Sequence, residues 1–164
     1  MEKTADYWIK QLDLEPHAEG GYFKQSFRSS GELANQSRVL YTSIYFLLRG
    51  GEVSHFHRLQ SDELWYFHAG QSLSVHMILE NGEYEEVRLG LNIEEGEVPQ
   101  IAVPKNTIFG SSVLTEGGFA LVGCMVSPGF EYQDFELFTQ KQLLEDYPQH
   151  EAIIKKLAYE ILPE

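Results

Sequence analysis

The chain has 164 residues, with 12 Lys plus Arg against 25 Asp plus Glu and a formal net charge of -13. A length of this order closes one hydrophobic core, so a single domain over 1–164 is expected. The negative field repels phosphate backbones and anionic lipid surfaces, which sets nucleic-acid and membrane partners aside, and no stretch approaches the ~18 consecutive apolar residues of a spanning helix.

The amino-terminal stretch MEKTADYWIK has two acids and no apolar run. It lacks the pattern of a secretory leader, and a cytoplasmic protein is expected. Next, Ala5, Trp8, Ile9 and Leu12 fall at the spacing of an amphipathic helix over about 4–13, with Thr4 as its cap. From about 20 to 138 the pattern changes to short runs rich in Tyr, Phe, Val and Ile, cut by turn residues such as Gly50-Gly51, Gly70, Asn81-Gly82 and Pro128-Gly129. Asn81-Gly82 predicts a hairpin with a type I′ turn. In the strand before it, Leu73, Val75 and Met77 take one face, which leaves His76 on the other as a solvated surface histidine. The acidic run Glu94, Glu95 and Glu97 reads as a solvated loop. Cys124, the only cysteine, lies in ALVGCMV and reads as a buried structural thiol. After 138, Thr139 with Gln142 makes a capping box, and Ile154, Leu157, Ala158 and Ile161 form the stripe of a second helix, so C-terminal helices are expected over about 139–162. The whole is mainly β, an antiparallel sandwich or barrel such as a jelly roll.

The chemistry concentrates in SHFHRLQSDELWYFHAG, residues 54–70. Residues two apart in a strand share a face, so His55 and His57 are expected to project together as a chelating pair. Beyond the bend, Glu63, Trp65 and Phe67 share a parity, and His68 points the other way. Two imidazoles and a carboxylate are a ligand set for iron, manganese or zinc. The same groups do acid/base work without a metal, a carboxylate orienting a histidine ring. A strand that simply buries its histidines is the third reading. Elsewhere, Tyr22 and Arg28 on an early strand are candidates to close over a ligand, and His17 is expected to fix the turn before Gly20-Gly21. Phe130, Tyr132 and Phe135 read as core or dimer packing. A phosphate-cradling glycine loop and a G-x-S-x-G elbow are both missing from the sequence.

The segment resembles the first motif of the cupin superfamily, in which a glycine, HxH, Glu and a closing glycine are filled here by Gly50, His55, His57, Glu63 and Gly70. More specifically the chain is similar to the cupin_5 family through LEPHAEGGYF, SIYFLL, the histidine segment, PQIAVPKNTIF and VGCMVSPGFEYQDFEL, in order. The resemblance implies a cupin jelly-roll barrel (a double-stranded β-helix) and a homodimer. The expected function is that of a small-molecule-binding cupin with a pocket containing His55, His57, Glu63, Trp65 and Phe109, and with Tyr22 as a candidate gate. Phe109 takes the place of the fourth cupin ligand, and phenylalanine has no donor atom. That substitution favours a metal-free pocket for a small molecule. The leading expectation is a metal-independent isomerase or epimerase acting on a sugar-like or carbonyl metabolite, with His57 as base and Glu63 orienting it. The alternatives are a divalent-metal oxygenase or isomerase held by His55, His57 and Glu63, and a non-catalytic module that binds or senses a metabolite. No cofactor is predicted in the first and third of these.

Overall fold

A computed structural model of the chain describes residues 2–164. Helix α1 (Ala5–Gln11) begins where Thr4 accepts a hydrogen bond from the Tyr7 N–H at 3.3 Å, and Asp6 and Lys10 suit the two ends of its dipole. Its apolar side packs Ala5, Trp8, Ile9 and Leu12 around Leu14, Leu47 and Leu121.

The strands that follow are β1 (Glu15–Pro16), β2 (Tyr22–Arg28), β3 (Thr42–Arg49), β4 (Val53–Arg58), β5 (Asp62–Gly70), β6 (Leu73–Ile78), β7 (Tyr84–Leu89), β8 (Gln100–Val103), β9 (Ile108–Ser112), β10 (Phe119–Ser127) and β11 (Glu136–Leu137). They form a six-stranded sheet in the order β1-β2-β3-β10-β5-β8 and a five-stranded sheet in the order β11-β4-β9-β6-β7. Neighbours run antiparallel, and the crossing between sheets along the chain is that of a jelly roll. Between the sheets lies one core that includes Phe46, Leu48, Trp65, Leu73, Val75, Met77, Phe109 and Val122.

The expected hairpin forms between β6 and β7, but its turn differs from the expected type. Gly82 has φ 84° while Asn81 does not enter the positive-φ region, and the Gly82 N–H reaches the Leu79 carbonyl at 2.8 Å. This is a three-residue loop ending in a left-handed glycine, whereas a type I′ turn needs two positive φ values.

Helices α2 (Gln140–Asp146) and α3 (Glu151–Leu157) close the chain, α2 with the expected Thr139–Gln142 capping box. They roof the outer face of the five-stranded sheet, where Phe56, Ile78, Ile108, Phe138, Leu143, Ile154 and Leu157 cluster. Ile161 drops out of the expected stripe because α3 ends at Leu157, leaving Ile161 exposed. The roof also corrects the reading of His76. That histidine does face outward, yet it is only 3% exposed and bonds to the Tyr84 hydroxyl at 2.7 Å and the Ser112 hydroxyl at 2.9 Å. Glu97 likewise is not a solvated acid: it is buried and accepts from Arg88 and from the Asn92 N–H, each at 3.0 Å.

Candidate functional site

The site turns on one irregularity in β4. Ser54 pairs with Ser111 and His57 with Phe109, so His55 and Phe56 together oppose the single residue Gly110. Two residues against one is a β-bulge, and it inverts the alternation beyond it. Glycine is needed opposite, since a Cβ on Gly110 would lie 2.5 Å from the Ser54 carbonyl oxygen. The consequence is that Ser54, His57 and Leu59 face inward, while Phe56 enters the outer cluster beneath the helices. His55 goes outward too, its ring stacked on Tyr159 at 3.6 Å and 10°. The expected pairing of His55 with His57 on one face therefore does not occur.

What the two histidines share is Glu19, in the loop between β1 and β2. His57 Nε2 lies 3.1 Å from Glu19 Oε2, and the Ser54 hydroxyl donates to Glu19 Oε1 at 3.1 Å. From the other side, the His55 backbone N–H and ring Nδ1 both reach the Glu19 carbonyl oxygen at 2.7 Å. His17 completes the loop, its Nδ1 accepting from the Glu19 N–H at 3.1 Å. Gly20 is held at φ 111°, where a Cβ would meet the Val53 carbonyl oxygen at 2.2 Å, so the loop needs glycine to lie this close to β4.

These contacts fix the proton count. His57 Nδ1 lies 2.7 Å from the His55 carbonyl oxygen, which can only accept, so Nδ1 carries a hydrogen. In the neutral ring Nε2 is then an acceptor, and the contact with Glu19 needs a proton on the carboxyl. The pair thus shares one proton between Glu19 Oε2 and His57 Nε2. Burial favours the uncharged arrangement: it lowers the pKa of His57 to about 4 and raises that of Glu19. His57 is 2% exposed and Glu19 7%.

Glu63 enters from β5 and is 6% exposed. Burial first, then the neighbouring Glu19 carboxyl, raise its pKa to about 8, while a hydrogen bond from the Cys124 thiol works against the rise. At neutral pH Glu63 is therefore a buried carboxylic acid, able to donate. The Cys124 thiol is pushed up by its own burial and by Glu63 and Glu19, the opposite of an activated nucleophile. These groups line a cavity of about 110 Å³ with His17, Phe23, Gln25, Thr42, Ile44, Val126, Phe130, Tyr132 and Phe135. Among the described residues its lining has no Lys or Arg.

The remaining candidates fall as follows. Trp65 is fully buried in the core between Phe46 and Phe109 and does not reach the cavity. Phe109 stands behind His57, ring centroids 4.1 Å apart, supporting that imidazole instead of facing a ligand. Tyr22 is on the outer face of the six-stranded sheet under α1, with Arg49 over its ring, and the neighbouring Phe23 faces the cavity instead. The partner that orients His57 is Glu19, in place of the expected Glu63. A divalent metal held by His55, His57 and Glu63 does not fit. The bulge sends His55 to the other side of β4, and both nitrogens of His57 are engaged within the protein. Among the described residues, no three His, Cys, Asp or Glu side chains converge as a metal site.

Sequence reasoning passed over Glu19 as a site residue. Its signal was the acid placed directly before Gly20-Gly21, a pair that lets a backbone approach a neighbouring strand. His17 fixes the turn, as its place before Gly20-Gly21 predicts, and it also lines the cavity.

The comparisons with known proteins agree with this architecture. Protein SO0799 from Shewanella oneidensis superposes with a TM-score of 0.91 at 56% identity, over 100% of both chains. A hypothetical protein from Leishmania major gives 0.91 at 48% identity, over 95% of this chain and 99% of that one. The uncharacterised protein YML079W of Saccharomyces cerevisiae is 28% identical over 144 residues, 77% of this chain and 71% of its own length. Bacillus subtilis oxalate decarboxylase, at 18% identity and a TM-score of 0.57 over 92% of this chain and 40% of that one, shares the fold alone. The pattern of the family Cupin_5, described as Cupin superfamily (DUF985), matches residues 6–138, and the chain belongs to that family.

Proposed function

We propose that this cupin is a metal-independent isomerase or epimerase that moves a proton next to the carbonyl of a small, unphosphorylated metabolite. The observation that carries this reading is the single proton shared by Glu19 and His57 at the wall of a cavity that also holds a protonated Glu63. Two carboxyls in different environments divide the labour of acid and base. Transfer of the shared proton to His57 Nε2 leaves Glu19 as a carboxylate, which takes the hydrogen from the carbon beside the carbonyl. The Glu63 hydroxyl donates to the carbonyl oxygen as negative charge grows there. Return of the proton by Glu19 to the opposite face of the same carbon, after the planar intermediate turns over, epimerises it; return to the carbonyl carbon of an α-hydroxy compound, whose hydroxyl gives its proton back to Glu63, isomerises it. In both cases the enzyme ends as it began. A lining of Phe, Tyr and Ile with no cation suits an uncharged ligand, and the cavity's size suits a compact one.

The test is solvent exchange. Incubation in D2O with unphosphorylated hydroxyketones and ketoses, followed by NMR, is expected to place deuterium beside the carbonyl with the wild type and not with Glu19→Gln. A ligand that binds without exchange, equally in both proteins, supports the second reading, a non-catalytic binding module. That reading is favoured by one observation, that both nitrogens of His57 are already satisfied. A homodimer is part of the same proposal. Exposed Phe27, Tyr41 and Tyr132 lie around the Thr42 end of the six-stranded sheet, where a second copy would cover them, and sedimentation equilibrium is expected to read twice the chain mass.

A further inference from the structure

We propose that Tyr159, in the C-terminal segment, is a positioning residue that holds Glu19 against His57 through His55. The inference rests on the reading of Glu19 as the group that carries the proton.

Tyr159 makes two contacts with the parts that hold Glu19. Its ring lies face to face on His55 at 3.6 Å, and its hydroxyl donates to the Ala18 carbonyl at 2.9 Å. His55 in turn spends its backbone N–H and its Nδ1–H on the Glu19 carbonyl, so the residue gripped by Tyr159 is the one that grips the Glu19 backbone. Ala18 and Glu19 are adjacent. The loop that carries the acid is therefore fixed on one side by β4 and on the other by the chain terminus. Tyr159 is itself anchored: its carbonyl accepts from the Gln140 N–H at 2.7 Å, it bridges Thr139, and the preceding Ala158 is buried in the cluster that α3 shares with Phe56. The span matched by the family ends at residue 138, so this clasp comes from the segment beyond it.

Geometry explains why such a clasp matters. The distance between Glu19 Oε2 and His57 Nε2 is a hydrogen-bond distance, and a carboxylate drifting by about 1 Å would no longer share its proton with the ring. Gly20 and Gly21, both at positive φ, give the loop little stiffness of its own. The stack and the hydroxyl supply what the loop lacks.

The test compares Tyr159→Ala, Tyr159→Phe and Leu157→Ala. The readouts are amide hydrogen exchange over residues 17–21 and His55, and the ring-nitrogen NMR shifts of His57. Tyr159→Ala is expected to raise exchange at the His55 and Gly20 amides at least tenfold and to shift the His57 Nε2 resonance. Tyr159→Phe keeps the stack and loses only the hydroxyl bond, so it gives a smaller change of the same sign and remains readable should the alanine variant fail to fold. Leu157→Ala opens a cavity in the helix cluster and lowers Tm while leaving the His57 signal in place. A His57 signal unchanged in both Tyr159 variants overturns the inference, as does one moved equally by Leu157→Ala. None of these readouts requires turnover. A positive result without deuterium exchange on any substrate would sink the proposed reaction and leave the clasp standing.

Discussion

His57 and His76 are buried to nearly the same extent, 2% and 3% exposed, and burial lowers both pKa values to about 4. Each ring has both nitrogens engaged. The difference lies in the partners. His76 is held by two hydroxyls, Tyr84 and Ser112, under the helical roof of the five-stranded sheet. His57 is held by a carbonyl that fixes its tautomer and by a carboxyl that leaves one proton free to move, and it lines a cavity. A buried, neutral histidine is thus no marker of chemistry by itself. What separates a site from a satisfied core polar cluster is a partner that can exchange a proton and space for a ligand beside it.

Three substitutions distinguish the two environments. The largest expected change is in His76→Leu, which leaves the Tyr84 and Ser112 hydroxyls without their shared partner and costs about 3 kcal/mol of stability at pH 7, read by urea unfolding. Ligand binding in the cavity is expected to survive. The cost has a defined pH course. The folded ring titrates near 4 and the unfolded one near 6.5, so the wild type's advantage is full above pH 6.5 and shrinks as pH falls toward 4.

Glu63→Gln, in the inner cavity, is expected to show the opposite sign. The carboxyl's folded pKa of about 8 lies above its unfolded value of 4.5, so its contribution is full below pH 4.5 and is lost as pH rises to 8. The variant escapes that loss and is more stable than the wild type at pH 8, with the gap closing by pH 4.5. A thermal melt series from pH 4.5 to 8 reads it directly.

Smaller still in stability is Glu19→Gln. The amide keeps the shape and can donate to His57 Nε2, so unfolding free energy changes by about 1 kcal/mol or less, while deuterium exchange on substrate is abolished. A stability loss as large as that of His76→Leu would make Glu19 a structural acid like any satisfied core group.

Much of this architecture was legible. The capping box at Thr139, the hairpin at Gly82 and the parity of β5, which puts Glu63 inward and His68 outward, are local patterns with local causes. The pairing of His55 with His57 was a local inference too, and it failed because a bulge is a property of two strands. Its partner Gly110 lies far along the chain, and strand glycine was the one trace it left in sequence. The burial of His76 is hidden from the sequence for a similar reason: alternation says which face a residue takes, and only the packing of α2 and α3 decides whether that face meets water. Glu19 escaped notice because its role depends on a loop laid against β4, which no periodicity reveals.

The HxH pair serves Glu19, with His57 as the neutral Nδ1–H tautomer sharing one proton with that carboxyl. Long-range proton–nitrogen NMR of the His57 ring from pH 5 to 8 tests it most directly. The expected result is a protonated Nδ1, an Nε2 shift that moves in Glu19→Gln, and no titration of the ring across that range. An Nε2–H tautomer, or a ring that titrates near 6.5 and ignores the Glu19 substitution, would contradict it.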